Sequence, residues 1–165
     1  MSDQARTSHN QYLTFTLAGE QYAVEVGKVK EVLEYTTVTK VPRTMEFMRG
    51  VINLRGSVVP VIDLRLKFDL GETEKTIDTS IIVMEVNIGG ESVVLGTLAD
   101  SVQEVIGMDN SQIEPAPTIG TSIKTDFIKG IGKQEEQFVM ILDIDAVFSE
   151  EELSTVAAQA ESPGQ

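Results

Sequence analysis

Gly50-Val51-Ile52-Asn53-Leu54-Arg55-Gly56-Ser57-Val58-Val59-Pro60-Val61-Ile62-Asp63-Leu64-Arg65-Leu66-Lys67-Phe68 is the stretch against which the rest of the chain can be read. From Val58 it alternates. Val58, Pro60, Ile62, Leu64, Leu66 and Phe68 share one parity, and Asp63, Arg65 and Lys67 take the other, which is the period of a strand with one buried face. Pro60 has no N–H for a ladder, so the strand is expected to be an edge there or to carry a bulge.

The pattern returns further along the chain. Gly130, Ile131, Phe138, Met140, Leu142, Asp143, Ile144 and Phe148 stand 80 residues after Gly50, Val51, Val58, Pro60, Ile62, Asp63, Leu64 and Phe68. Phe127-Ile128-Lys129-Gly130 matches Phe47-Met48-Arg49-Gly50, Pro117 matches Pro42, and Val102-Gln103-Glu104-Val105-Ile106 matches Val29-Lys30-Glu31-Val32-Leu33. The offset grows from 73 to 75 to 80, as small insertions would produce. The chain therefore reads as an all-β protein made of two copies of one unit, about 11–68 and 81–148. Each copy alone is short for a core, and the polar joint 69–79 is neither Pro- nor Ser-rich. The copies are expected to pack together.

Composition narrows the function classes. The 165 residues suffice for one domain or two small subdomains sharing a core. No apolar run is long enough to span a bilayer and no N-terminal export signal is present, so the chain reads as soluble and cytoplasmic. The absence of Cys excludes disulfides and sulfur-ligated metals. A net charge of −13 repels phosphate backbones and anionic membrane surfaces, so neither nucleic acid nor direct membrane contact is expected. Against that background Lys40, Arg43, Arg49, Arg55, Arg65 and Lys67, with only Glu46 and Asp63 opposing them, make residues 40–67 a segment of +4. It is either a set of solvated strand faces or a docking patch for an acidic protein surface.

Along the chain, residues 1–10 read as a disordered tail holding His9. Phe15, Leu17, Ala18-Gly19-Glu20, Tyr22 and Val24 describe a hairpin, repeated by Val86, Ile88, Gly89-Gly90, Val93 and Leu95. The spacing of Val29, Val32 and Leu33 predicts a helical turn or bent loop over 27–34, with a twin at 101–106. Thr44 to Arg49 reads as a short helix closed by Gly50, and Thr125 to Lys129 with Gly130 repeats it. Ser149-Glu150-Glu151-Glu152 is a capping box, predicting a C-terminal helix over 150–160 before a disordered 161–165.

Chemistry is harder to find. Gly50 to Ser57 fails as a phosphate loop, because five residues separate the glycines and no Lys follows. No loop has calcium-site spacing, so no metal or other cofactor is expected. Asp63 with Asp143 could form a catalytic carboxylate pair, although a repeated Asp after an apolar strand also suits backbone capping. The copies differ at one tip, where Asn53-Leu54-Arg55-Gly56 faces Lys133-Gln134-Glu135-Glu136-Gln137. Arg55 is either part of an ordinary turn or an anchor presented to a partner. At the seam, Val29 and Val32 with Val102 and Val105 are expected to form an apolar groove suited to an amphipathic helix, with Glu31 and Arg55 as its polar rim.

Val29-Lys30-Glu31-Val32, Met48 to Gly56 and Val59-Pro60-Val61-Ile62-Asp63-Leu64-Arg65 closely resemble the CheW family of bacterial chemotaxis coupling proteins, over about residues 11–148. The resemblance implies two five-stranded SH3- or OB-like barrels with strands partly exchanged between the halves. It also implies a scaffold without catalysis that binds the regulatory domain of the histidine kinase CheA and the cytoplasmic hairpin tip of methyl-accepting chemoreceptors, at receptor arrays on the inner face of the membrane. Val29, Glu31, Gly50, Arg55 and Val105 match family positions involved in partner binding, whereas Pro42-Arg43-Thr44-Met45 departs from some members. Under this reading Val29, Glu31, Val32, Arg55, Val102 and Val105 face the receptor, and Gly50, Asn53, Leu54, Gly56 and Val58 face the kinase. A ligand-binding double barrel and a carboxylate-dependent enzyme are the alternatives.

Overall fold

The fold is that of a computed structural model, which describes residues 9–42, 44–88, 90–115, 127–134, 136–148 and 151–152. Copy one supplies β1 (His9–Leu17), β2 (Glu20–Glu25), β3 (Val29–Glu34), β4 (Met48–Leu54) and β5 (Ser57–Asp63). Copy two supplies β6 (Ser80–Ile88), β7 (Glu91–Ala99), β8 (Ser101–Asp109), β9 (Ile113–Glu114), β10 (Ile128–Gln134) and β11 (Gln137–Leu142). Helical turns at Leu64–Lys67 and Ile144–Val147 follow the last strand of each copy. The expected C-terminal helix lies outside the described residues except for Glu151 and Glu152, as do residues 1–8 and 161–165, whereas His9 and Asn10, expected in the N-terminal tail, instead begin β1 opposite Asp109 and Met108.

The sheets do not coincide with the copies. One runs β8-β1-β2-β11-β10-β9 and the other β3-β6-β7-β5-β4, so each copy's N-terminal hairpin is built into the other copy's sheet. In both, the exchanged hairpin runs antiparallel to the edge strand, β1 on β8 and β6 on β3, and parallel to the last strand, β2 on β11 and β7 on β5. Both sheets close into barrels. Thr39, downstream of β3, bridges Val51 of β4 with two backbone hydrogen bonds of 2.8 Å. In the other barrel β9, continuing β8 past the turn Asn110–Gln112, pairs with β10. Gly50 and its twin Gly130 sit where these closing segments pass. A Cβ on Gly50 would lie 2.1 Å from the Thr39 carbonyl oxygen, and one on Gly130 2.6 Å from Ile113 Cγ2.

Three apolar layers result. Ile52, Val59, Val61, Ile81, Val83 and Leu98 fill one barrel, and Tyr12, Ala23, Ile106, Met108, Val139 and Ile141 the other. Between the barrels lies a larger layer drawn from both copies, including Phe15, Tyr22, Phe47, Ile62, Phe68, Met84, Leu95, Phe127 and Phe148. Within it Phe68 stacks on Phe127 with ring centres 4.5 Å apart, and the equivalent residues Phe148 and Phe47 meet at 5.8 Å. The duplication thus makes two matched aromatic pairs, each joining one copy to the other, in geometries that aromatic quadrupoles favour.

This layering corrects the one-faced reading of residues 58–68. Val59 to Asp63 are all buried, because Val59 and Val61 point into the barrel while Ile62 points to the layer between barrels. Pro60 pairs with Val51 of β4 and lies just before the ladder to β7 begins at Val61, so β5 is an edge on that side up to Pro60 and interior beyond it.

Two helical expectations are also corrected. Of residues 26–34 Val26–Lys28 alone forms a 3-10 turn, and residues 29–34 and 101–109 are strands. The valine spacing was strand alternation, with Val29 turned toward the core and Val32 outward. What holds each strand is a hairpin from the other copy, which local spacing cannot reveal. Likewise Glu46 and Phe47 make a single turn, closed by a 2.9 Å bond from Met48 N to the Met45 carbonyl, and Met48 already belongs to β4 opposite Ile62.

Candidate protein interface

The tip of the β4–β5 hairpin is a two-residue loop in which Arg55 and Gly56 both have positive φ, 52° and 87°. That geometry suits the right-handed twist of the strands it joins, and a Gly at the second position adopts it without strain. Asn53 Oδ1 accepts the Gly56 N–H at 2.8 Å, fixing the loop. From it Arg55 reaches β3, donating from Nη1 and Nη2 to the two carboxylate oxygens of Glu31 at 2.6 and 2.8 Å. This planar, two-bond pairing fits guanidinium to carboxylate and links the two end strands of the five-stranded sheet. Hydrogen bonding to Arg55 holds the Glu31 carboxyl below the usual carboxylate range, and the same bond raises Arg55. The pair is therefore fully formed above the ordinary carboxylate pKa and is lost only as pH falls through the lowered value of Glu31. With 72% of its side chain exposed, Arg55 still offers a face to a partner.

The structure gathers most of the residues singled out in copy one. Glu31, Asn53, Leu54, Arg55, Gly56 and Val58 form one region, since Asn53 lies opposite Val58 in the ladder and Arg55 bonds Glu31. Residues expected to face the receptor and those expected to face the kinase are thus neighbours. Val58 is 48% exposed, whereas Leu54 is half-buried against the barrel interior. Gly50 belongs elsewhere: it is buried inside β4 with φ 147° against Thr39, at a strand position and not at the helix end expected for it.

The valine groove does not form. Val29 and Val102 pack against the layer between the barrels. Val32 and Val105 are outward, 42% and 51% exposed, on edge strands of different sheets. Val102→Ser should therefore lower the melting temperature by several degrees, by placing a hydroxyl against that layer, while Val105→Ser leaves it within about 1 °C. Thermal denaturation of the two variants checks this.

The basic segment is mostly spent within the molecule. Arg49 bonds Asp63 at 3.0 Å, Arg55 bonds Glu31, Arg65 faces Asp100 at 3.3 Å, and Lys67 reaches Glu152 at 2.7 Å while lying over the Phe47 ring. Among the described cations of residues 40–67 only Lys40 has no such partner, so the +4 is not a free docking patch. Asp63 is likewise committed. Fully buried, it accepts from Thr73 N and Oγ1, Arg49, and the amides of Arg65 and Leu66. Asp143 makes no side-chain cap bond. The capping reading of Asp63 holds, and no hydrogen bond joins the two carboxylates.

Two exposed apolar residues were missed, Ile77 in the joint, 97% exposed, and Phe138. Phe138 is 62% exposed beside an open cleft lined by Thr16, Gly19, Glu20, Gln21, Gln103 and Gln137. It is the repeat twin of Val58, as Val105 is of Val32, so laying the copies over each other would have marked both pairs.

Residues 11–152 match the family model described as a CheW-like domain. The chemotaxis protein CheW of Klebsiella aerogenes is 35% identical over 156 residues, 94% of this chain and 92% of that protein. CheW of Bacillus subtilis is 39% identical over 140 residues, 84% of this chain and 86% of the relative. Among solved structures, the scaffolding protein TtCheW from Thermoanaerobacter tengcongensis superposes with a TM-score of 0.76 at 37% identity, covering 87% of this chain and 90% of its own.

Proposed function

The chain belongs to the CheW family, and on that premise we propose that it is a chemotaxis scaffold which holds the regulatory domain of the histidine kinase CheA against the cytoplasmic hairpin tip of membrane chemoreceptors. The observation that carries this reading is the match to a solved scaffolding protein along nearly the whole of both chains. No helix among the described residues is long and apolar enough to cross a membrane. The proposed location is the cytoplasmic face of receptor arrays, reached through protein partners.

The β4–β5 tip supports a protein-binding role on physical grounds. It is rigid, since two backbone-determined φ angles, the Asn53 bond and the Glu31 clamp all fix it, and a preordered anchor gives up little entropy on binding. It presents an Arg and an exposed Val, the pairing of polar register and apolar contact that interfaces use. Arg55→Glu would set two carboxylates against each other and is expected to weaken capture of a receptor-tip fragment by about tenfold or more. Val58→Glu is expected to do the same to the kinase regulatory domain. Both variants should melt close to wild type, because both side chains are largely exposed. Calorimetric titration of each purified partner is the test. Unchanged affinity for both partners in both variants would remove the tip from the interface.

A further inference from the structure

Two ion pairs clasp the copies together at closely related places. Lys28 Nζ bonds Asp145 Oδ2 at 2.6 Å, and Arg65 Nη1 faces Asp100 Oδ2 at 3.3 Å. Lys28 is the residue before β3, and Asp100 the residue before β8, β3's counterpart, although in the repeat Ser101 stands at Lys28's place, so the two charges are one residue out of register. Arg65 and Asp145 are equivalent positions, 80 residues apart, on the helical turns that follow β5 and β11. The two clasps are therefore neighbouring contacts built on one equivalent pair of positions, Arg65 and Asp145, and in each copy one holds the cation and copy two the anion.

The clasps are built into the junction. Their side chains are only 31% and 32% exposed in the first pair and 21% and 26% in the second. Each carboxylate also accepts a backbone N–H from an exchanged hairpin, Asp145 from Asn87 and Asp100 from Ala18, both at 2.8 Å. Among the described residues Lys67 also reaches across, to Glu152 beyond the second repeat, and two further ion pairs cross the copies, Lys30–Glu85 and Lys129–Glu25, but these two are more exposed. Neither of the two has a counterpart pair, since Gln103 stands at Lys30's place and Arg49, at that of Lys129, is turned onto Asp63.

We propose that Lys28–Asp145 and Arg65–Asp100 are a charge code for assembly, so that the face of copy one accepts copy two, of its own chain or of a second molecule, and refuses another copy one. The aromatic pairs Phe47–Phe148 and Phe68–Phe127 join equivalent residues on both sides of the seam, so these two contacts do not by themselves tell one copy from the other. Pairing copy one with copy one would set Lys28 against Arg65, and pairing copy two with copy two would set Asp100 against Asp145. Like charges at such positions discriminate between partners even where the correct pair adds little affinity. The partner this interface admits across chains is thus a second copy of this protein, in a reciprocal exchange about the joint 69–79.

Three full-length variants test this. The first carries Lys28→Asp with Arg65→Asp, the second Asp100→Lys with Asp145→Lys, and the third all four changes. Each two-site variant alone is expected to melt about 5 °C or more below wild type. Co-expressed, the two are expected to copurify as a one-to-one dimer of twice 18.0 kDa that melts above either, while the four-site variant is a monomer that also melts above both. If the two-site variants do not fold alone, recovery of soluble protein only on co-expression and in the four-site variant gives the same answer. Wild-type melting of the two-site variants overturns the proposal. So does a co-expressed mixture that stays unpaired and unrestored, or a four-site variant no more stable than its parents.

Discussion

Gly50→Asp is expected to abolish the folded state and with it every binding activity, instead of weakening one partner. The new Cβ would lie 2.1 Å from the Thr39 carbonyl oxygen and 2.7 Å from its carbon, a clash with backbone that no rotamer relieves. The φ of 147° is also one that L-residues rarely adopt. Thr39 cannot step aside, because its two hydrogen bonds to Val51 are what close the barrel. Together with a buried charge, these effects are expected to cost at least about 4 kcal/mol, a large share of the roughly 5–15 kcal/mol that holds a domain folded. Circular dichroism and the soluble yield check this. A variant that melts near wild type but loses only kinase binding would instead mean that Gly50 is an interface residue.

Asp63→Ala is expected to lower the melting temperature by about 10 °C, from a loss of about 3–5 kcal/mol at roughly 2–4 °C per kcal/mol for a chain of this size. The carboxylate has no solvent exposure and collects five donors from three segments: Arg49 on β4, Arg65 and Leu66 at the helical turn, and Thr73 in the joint between copies. Removing it strands the buried Thr73 amide and leaves Arg49 with the exposed Glu72 as its remaining carboxylate, 3.8 Å away. Stranded buried donors are costlier than the lost bonds themselves. Asp143→Ala should cost far less, since its side chain caps nothing. Comparing the two melting curves is the check. Equal and small losses, with activity lost in both, would revive the paired-carboxylate reading.

The sequence by itself determined that this is a duplicated β protein and where its hairpins and tip fall. Alternation and turn residues are local properties, and the repeated Gly, Asp and Phe positions keep their order in both copies. It also carried the family, through the run from Asn53 to Arg65. Only the tertiary structure decided which strands pair. The exchange of β1–β2 and β6–β7 joins residues such as Phe15 and Val102, or Leu33 and Ile81, that lie far apart in the chain, and no local period records such a partner. The same cause explains the misread valines: Val29, Val32, Val102 and Val105 have identical chemistry, and their facing depends on a hairpin supplied by the other copy. It explains the basic segment too. Its charge is legible, but Arg49, Arg55, Arg65 and Lys67 are neutralised by Asp63, Glu31, Asp100 and Glu152, and the last two lie 35 and 85 residues away and are brought within reach only when the two copies fold around one another.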